Sequence, residues 1–343
     1  MNIVGLDLGI HSIKAVELKK EKGKNELNKY GILEKLVPSL SSDQEDEIAR
    51  YSKALSDFYD EHNFSTRSVI VALPETSVFT RVIKVPKMSE KDLKSAINYE
   101  AEQYIPVPLK DVNFDFQIIE DDTNDKNSMS VILVAATKIL ISKYVKVLKN
   151  SKLSTVGMEP ETLAIARVVG DTKEQPNPSI VVSIAASETN IIITHKGIVR
   201  FTRNISTGGD ALTRAVSQNL GFDFSQGEEY KKTYGIDPNQ VDGKVFNAIK
   251  PVFDIVLDEI KRAYFFYTTH NPGVNMRRVV VCGGTALMPG LLYYLTTNLS
   301  IEVELGNPYT NITFSSKLQK EKQSLLDRGP FFVTALGLAM KDL

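Results

Sequence analysis

The sequence predicts an α/β protein made of two duplicated domains that face each other across a cleft. Three observations carry that prediction. The chain has 343 residues, 42% of them hydrophobic, enough for two cores of ordinary size. Short apolar strands alternate with amphipathic helices along its length, the pattern of sheets covered by helices. The opening of the chain also returns near its middle. Setting "IVGLDLGIHSIKAVEL" above "IVVSIAASETNIIIT" puts Asp7 on Ser183 and Gly9 on Ala185. Two similar domains enclose a cleft, and ligands favour clefts.

In the first half, residues 1–20 read as a strand, a tight turn and a second strand. "KKEKGKNE" makes a polar hairpin turn before "LNKYGILEKL". Residues 43–62 form a charged helix with Ile48, Leu55, Phe58 and Tyr59 on one side. "SVIVALP" then reads as a buried strand, and "SVFTRVIKVP" alternates at period two. A helix over 89–105 is capped by Ser89, with Asp92 placed to complete a capping box. Leu93, Ala96, Ile97, Ala101, Tyr104 and Ile105 form its apolar stripe, and Pro106 stops it. "DVNFDFQII" sets Val112, Phe114, Phe116 and Ile118 on one face, and the strand "MSVILVAAT" follows the polar loop "EDDTNDKNS". Residues of about 77–136 thus make a strand–helix–strand–strand unit, expected to stand as a separate lobe. Helices over 139–150 and "TLAIARVV" lead to the polar link "GDTKEQPNPS". That link sets the expected boundary, with a first domain at 1–177 and a second at 178–327.

The second half restarts as strand, turn and strand. Gly208 and Gly209 open the helix "DALTRAV", and "GEEYKK" puts Glu228 and Lys231 on one helix face. Pro251 is expected to open a long amphipathic helix with Phe253, Val256, Leu257, Ile260, Ala263, Tyr264 and Tyr267 inward, ending at "HNPG". "RRVVVCGGTALMPGL" reads as strand, glycine pair and helix. "FFVTALGLAMKDL" is a short packed helix, and residues from about 328 are expected to return to the first domain.

Composition narrows the function. With 41 basic and 42 acidic residues the net charge is −1, which offers neither a nucleic-acid footprint nor a polybasic membrane anchor. Cys282 is the sole cysteine, so no intrachain disulfide forms. There is no stretch of 18 apolar residues and no basic amphipathic tail. The expectation is a soluble, cytoplasmic protein. His11, His62, His195 and His270 show no metal-ligand spacing, and the P-loop, dinucleotide and nucleophile-elbow motifs are missing.

What remains is a set of glycine turns. In "GLDLGIHSIK" the amides around Gly9 can converge on an anion, with Ser12 and Lys14 adding a hydroxyl and a charge. Asp7 would repel a phosphate, but it suits a magnesium ion held through waters. Taken alone, the stretch also reads as a hairpin turn with an exposed acid. Gly283 and Gly284 follow an apolar strand, where bare backbone lets a purine or ribose lie close. Each glycine pair taken singly is also an ordinary strand-to-helix turn, and Glu228 with Lys231 also reads as a surface ion pair.

In this order the motifs resemble those of the actin-like ATPase superfamily: phosphate-1, phosphate-2, ribose contact and adenosine loop. "VPKMSEKDLKSAINYEAEQYIPVPLKDVNFDFQII", "RFTRNISTGGDALT" and "DEIKRAYFFY" are similar to the PilM family of type IV pilus assembly proteins. The resemblance covers nearly the whole chain and favours PilM over its relative FtsA, which ends in a membrane-binding helix. It implies an actin-like, ribonuclease H-like duplicated fold with subdomains 1A, 1C, 2A and 2B. The unit at about 77–136 would be 1C, and residues of about 219–272 would belong to 2B. It implies ATP and magnesium in the cleft. Asp7 would serve the metal, and Gly9, Ser12 and Lys14 the phosphates. Gly208 and Gly209 would join the nucleotide site, Glu228 and Lys231 the ribose, and Gly283, Gly284 and Thr285 the adenosine. It also implies a partner, the cytoplasmic N-terminal peptide of a PilN-like inner-membrane protein, held in a groove between 1A and 1C. Through that peptide the protein would sit at the membrane among other platform components. Two departures stand out. Ile10 follows the phosphate-1 glycine where a hydroxyl is common, and the phosphate-2 loop reads Ser183-Ile184-Ala185 instead of Asp-hydrophobic-Gly. A lost metal-positioning acid removes transition-state stabilisation more than binding. The sequence therefore predicts a nucleotide-binding scaffold with weak or absent hydrolysis. A nucleotide-free adaptor, an active ATPase and an FtsA-like cell-division protein are the alternatives, and self-association stays open.

Overall fold

The computed structural model describes residues 2–21, 24–34, 40, 44–119, 127–172 and 177–341. Parts of the "KKEKGKNE" turn, the "EDDTNDKNS" loop and the "GDTKEQPNPS" link lie outside the described residues.

The first half runs β1 (Val4–Leu8), β2 (Ile13–Glu21), β3 (Lys24–Leu33), α1 (Glu45–His62), β4 (Ser68–Leu73), β5 (Val78–Pro86) and α2 (Glu90–Glu102). It continues through β6 (Val112–Ile119), β7 (Ser128–Thr137), α3 (Lys138–Asn150), β8 (Ser154–Pro160) and α4 (Glu161–Val169). The second half holds β9 (Ser179–Ile184), β10 (Thr189–His195), β11 (Ile198–Ile205), α5 (Gly209–Leu220), α6 (Phe224–Tyr234) and α7 (Lys244–His270). After these come β12 (Arg278–Cys282), α8 (Leu291–Leu299), β13 (Glu302–Leu305), β14 (Ile312–Phe314), α9 (Lys322–Asp327) and α10 (Val333–Ala339).

One sheet has the order β14-β3-β2-β1-β4-β8 and the other β11-β10-β9-β12-β13. The two share one plan. β1 lies antiparallel to β2 and parallel to β4, and β9 lies antiparallel to β10 and parallel to β12. The central strands are covered on both faces, so they read as near-continuous apolar runs where edge strands alternate. α1 and α3 cover one face of the first sheet through Leu55, Phe58 and Leu148. The other face packs Val16, Leu18 and Leu27 on Leu325 of α9, Phe332 just before α10 and Leu336 of α10. In the second half α5, α7 and α8 enclose Ile180, Val182, Ile191 and Val281 around Phe253 and Ile260. α4 lies between the halves: Ile165 and Val169 pack with Val181, Ile192, Val280 and Cys282.

The unit at about 77–136 forms an antiparallel sheet of order β5-β7-β6, with Leu93, Ile97 and Ala101 of α2 in its core. Ser89 Oγ caps α2 by accepting from the Asp92 amide at 3.1 Å. α2 ends at Glu102, short of the expected 105, and Tyr104 stands 41% exposed beyond it. Two expectations are corrected. Pro251 does not open α7; it lies inside a helix that starts at Lys244 behind Gly243. Val245, Ala248 and Ile249 are buried, and packing of those earlier turns outweighs the one hydrogen bond a proline forfeits. The chain also returns to the first half earlier than residue 328, because β14 already pairs in parallel with β3. Three residues in a polar stretch are too few to show a period.

Candidate functional site

Two hairpin turns of equal length face each other across the halves. In the first, Leu8 pairs with Ile13 and Asp7 with Lys14, leaving Gly9 to Ser12 as the turn. In the second, Ile184 pairs with Thr189 and Ser183 with Asn190, leaving Ala185 to Glu188. The register sets Ser183 against Asp7, Ala185 against Gly9, Glu188 against Ser12 and Asn190 against Lys14. The acid and base of the first hairpin are thus a hydroxyl and an amide in the second.

Lys14 Nζ lies 2.8 Å from Asp7 Oδ2, with both side chains largely enclosed. The same ammonium stands 4.6 Å from the centre of the Phe331 ring, a cation–π contact. Asp7 and Lys14, expected to serve metal and phosphate separately, neutralise each other. Ser12 is buried in the same turn. Ile10 is 40% exposed at its tip.

The second turn meets the start of α5. Gly209 N donates to Ala185 O at 2.9 Å and Asp210 N to Ala186 O at 2.8 Å. These carbonyls occupy two of the helix's first amides, which an anion would otherwise take. The approach is tight enough to need glycine: a Cβ on Gly208 would lie 2.6 Å from both carbonyl oxygens and from the Glu188 amide. His11 Nε2 lies 2.9 Å from both carboxylate oxygens of Asp210, a link from the first turn to α5 across the cleft.

The remaining expected residues converge beside α5. Lys231 Nζ lies 2.6 Å from Glu228 Oε2 and donates to Thr213 Oγ1 at 2.9 Å and Gly209 O at 3.1 Å. Lys231 is 5% exposed, and burial holds its pKa below the usual lysine value, partly opposed by Glu228. Burial pushes Glu228 up, but hydrogen bonds from Lys231 and Thr213 and the charges of Lys231 and Lys232 bring it below the usual carboxylate value. Thr285 Oγ1 sits 2.6 Å from where a Gly209 Cβ would be. Gly283 has φ +87° and donates to Pro330 O at 3.0 Å, a conformation that side chains resist. Gly284 opens only a single 3-10 turn, and the Phe331 ring lies over it. The structure therefore gathers Asp7, Gly9, Ser12 and Lys14 in one group and Gly208, Gly209, Glu228, Lys231 and Thr285 in another. Phe331 links Lys14 to Gly284.

Sequence reading missed the acids at the base of the cleft. Glu75 follows β4, Glu161 opens α4 and Glu188 closes the second turn. Burial raises Glu75 to about 7, opposed by a hydrogen bond from Thr162 at 2.9 Å. Burial also lifts Glu161 well above the usual carboxylate value, reinforced by its hydrogen bond with Glu188 and the charges of Glu188, Asp7 and Glu75. Register against Ser12 was the signal that could have found Glu188; Glu161 looked like an ordinary first-turn acid. Magnesium has a narrow fit. Among the described residues no three His, Cys, Asp or Glu side chains form a metal shell. Asp7 could hold the ion through waters only if nucleotide phosphates supplied the rest.

Duplicated sheets of this order, with paired turns at their centres, define the chain as an actin-like protein. MreB 5 of Spiroplasma citri, solved with bound AMPPNP, shares the fold at a TM-score of 0.51 and 13% identity, over 89% of this chain and 91% of that one. The family described as type IV pilus assembly protein PilM matches residues 5–343, and the chain belongs to that family. A solved PilM-PilN type IV pilus biogenesis complex matches at a TM-score of 0.85 and 25% identity, covering 99% of this chain and 98% of that one. The cell division protein FtsA of Neisseria meningitidis serogroup B is 23% identical over 233 residues, 61% of this chain and 53% of FtsA. The chain thus spans about half the length of that curated relative. Among the described residues no helix is long and apolar enough to cross a membrane.

Proposed function

We propose that this PilM-family protein binds ATP with magnesium between its two hairpin turns and hydrolyses it weakly or not at all. In this reading it is a scaffold of the inner-membrane assembly platform, gripping the cytoplasmic N-terminal peptide of a PilN-like protein. The observation that carries the nucleotide part is the pairing register, in which Ser183 stands where the first hairpin has Asp7. One carboxylate then serves a metal that related chemistry holds from both sides, so binding outlasts turnover. Asp7 would orient the waters of the ion, and Lys14 would exchange Asp7 for phosphate oxygens. Glu228 and Lys231 would meet the ribose, and Gly283, Gly284 and Thr285 the adenosine. Magnesium would supply charge neutralisation of the phosphates.

The likeness to the PilM-PilN complex supports the partner. So do apolar side chains without cover on the elements beside the three-stranded sheet: Tyr99 on α2 is 73% exposed and Ile139 on α3 is 78% exposed. An extended peptide adds apolar anchors and backbone hydrogen bonds to such a surface. Nucleotide would act on the peptide by favouring one angle between the halves.

Calorimetric titration with Mg-ATP, in parallel with Asp7→Asn, tests the nucleotide part. Binding that the variant weakens at least about tenfold, with no steady phosphate release, is expected. Steady release abolished by Asp7→Asn would replace the scaffold with an active ATPase, and no heat at millimolar ATP would leave a nucleotide-free adaptor. Anisotropy of a labelled PilN-type N-terminal peptide tests the partner. Affinity unchanged by Ile139→Glu and by Tyr99→Glu would remove the proposed groove.

A further inference from the structure

The first hairpin turn and its base carry three groups that suit an anion, and carboxylates of the chain already hold two of them. Lys14 Nζ lies 2.8 Å from Asp7 Oδ2. His11 Nε2 lies 2.9 Å from both oxygens of Asp210. The third group is the Ser12 hydroxyl. Gly9 keeps the space beside them bare, since a Cβ there would stand 3.8 Å from both Lys14 Nζ and Ser12 Oγ.

The two carboxylates differ in origin. Asp7 faces Lys14 across the β1–β2 register, so that pair stays within one hairpin. Asp210 comes from the other half. Its amide donates to Ala186 O at 2.8 Å, and the Gly209 amide donates to Ala185 O at 2.9 Å. Those bonds fix the start of α5 to the second turn, so Asp210 reaches His11 as part of the opposite wall of the cleft. A carboxylate accepts hydrogen bonds, so Nε2 carries the shared hydrogen. An N–H that serves two anionic oxygens at once is equally a donor for the oxygens of a phosphoryl group. The His11 side chain is 44% exposed and that of Asp210 18%, so the pair is open to water and exchanges partners easily.

We propose that His11 binds a phosphoryl group in the cleft, and that Asp210 takes that group's place as a built-in anion while the cleft is empty. The inference rests on the reading of the cleft as a nucleotide site and adds to it a competitor from the chain itself. A phosphoryl group entering the first turn takes the Nε2 hydrogen, and Asp210 gives it up. Releasing Asp210 unhooks the second turn from the first, so occupancy and contact between the halves are linked. Such competition lowers affinity by the fraction of molecules whose His11 is already engaged. A pair this exposed keeps about two to five molecules engaged for each one free.

Titration calorimetry with Mg-ATP and with inorganic tripolyphosphate tests this on the parent, Asp210→Ala, His11→Leu, His11→Gln and the double variant Asp210→Ala/His11→Leu. Asp210→Ala should bind about three- to sixfold more tightly, a gain that a damaged fold does not produce. His11→Leu should bind about threefold or more weakly, and His11→Gln, which keeps an N–H, should recover part of that loss. Removing an acid also reduces its repulsion of any polyanion, and that part survives without His11. The gain from Asp210→Ala should therefore be clearly smaller on the His11→Leu background. A gain of equal size on both backgrounds would overturn the inference. So would an Asp210→Ala protein that binds no tighter than the parent, or a His11→Leu protein that binds as tightly. In each of these cases the parent still binds Mg-ATP, and the nucleotide reading stands. The same pattern with tripolyphosphate but no binding of Mg-ATP would keep the anion site and remove the nucleotide. Binding by Asp210→Ala beside a silent parent would support the stand-in in its strongest form, and no heat from any of these proteins would overturn both readings.

Discussion

Asp7 and Lys14 should lose their independence in a double-mutant cycle. At 2.8 Å, two unit charges attract by roughly 6 kcal/mol at an effective dielectric of about 20. Desolvation of two largely enclosed groups cancels much of that, leaving a coupling of about 1–3 kcal/mol. Asp7→Ala should therefore cost about 2–4 kcal/mol, because it leaves the largely enclosed Lys14 ammonium beside the Phe331 ring, 4.6 Å from its centre, without its carboxylate. Lys14→Ala should cost less, since Asp7 keeps some contact with water. Removing both should cost clearly less than the sum. The assay is urea unfolding of the parent, both single variants and the double, compared at equal m. Costs that add to within about 0.5 kcal/mol would refute the idea that the pair is a neutralised unit. The same reasoning recommends Asp7→Asn over Asp7→Ala as the control in nucleotide titrations.

Other consequences follow from burial and contact. Glu75 is raised from 4.5 to about 7; at about 1.4 kcal/mol per pH unit, its ionisation costs the fold roughly 3 kcal/mol. That stability is present at low pH and lost as pH rises towards 7, so Glu75→Gln should be more stable than the parent at about pH 8 by denaturant titration. Gly208→Ala should cost about 2–4 kcal/mol by the same measurement, since its methyl would lie 2.6 Å from three backbone atoms. Phe253→Ala should cost about 3–5 kcal/mol, because the ring is 0% exposed in the second-half core. Ser183→Asp should lower the melting temperature in chelator, since it adds a charge near Glu161 and Glu188, and magnesium with ATP should restore part of the loss.

The fold was legible wherever an element was long enough to show its period. The stripe of Leu93, Ile97 and Ala101 marked α2, and the repeated opening marked the shared plan of the sheets. Pro251 misled because local propensity argues for a helix start, whereas Val245 and Ala248 secure the earlier turns through the core. β14 left no trace at three residues. The candidate site was legible as a list of backbone turns, but its electrostatics were not. Nothing in the spacing of Asp7 and Lys14 says that they pair, or that His11 reaches Asp210 nearly two hundred residues away. Glu161 and Glu188 look like single acids at turn and helix starts; only the folded chain joins them through the amides of Asn190 and Asn204.

The late return of the chain also has a bearing on its biosynthesis. Val16 and Leu27, next to the N-terminus in sequence, are covered by Leu325, Phe332 and Leu336, and Arg167 donates to the Gly337 carbonyl at 2.6 Å. A nascent chain on the ribosome would therefore hold one apolar face of its first sheet open while some three hundred further residues are made. The second sheet and its helices can close sooner, because their partners lie within one continuous stretch. At about 5–20 residues per second that exposure lasts roughly 15–60 s, long enough for holding chaperones to bind. The first half to be synthesised is the last to finish folding.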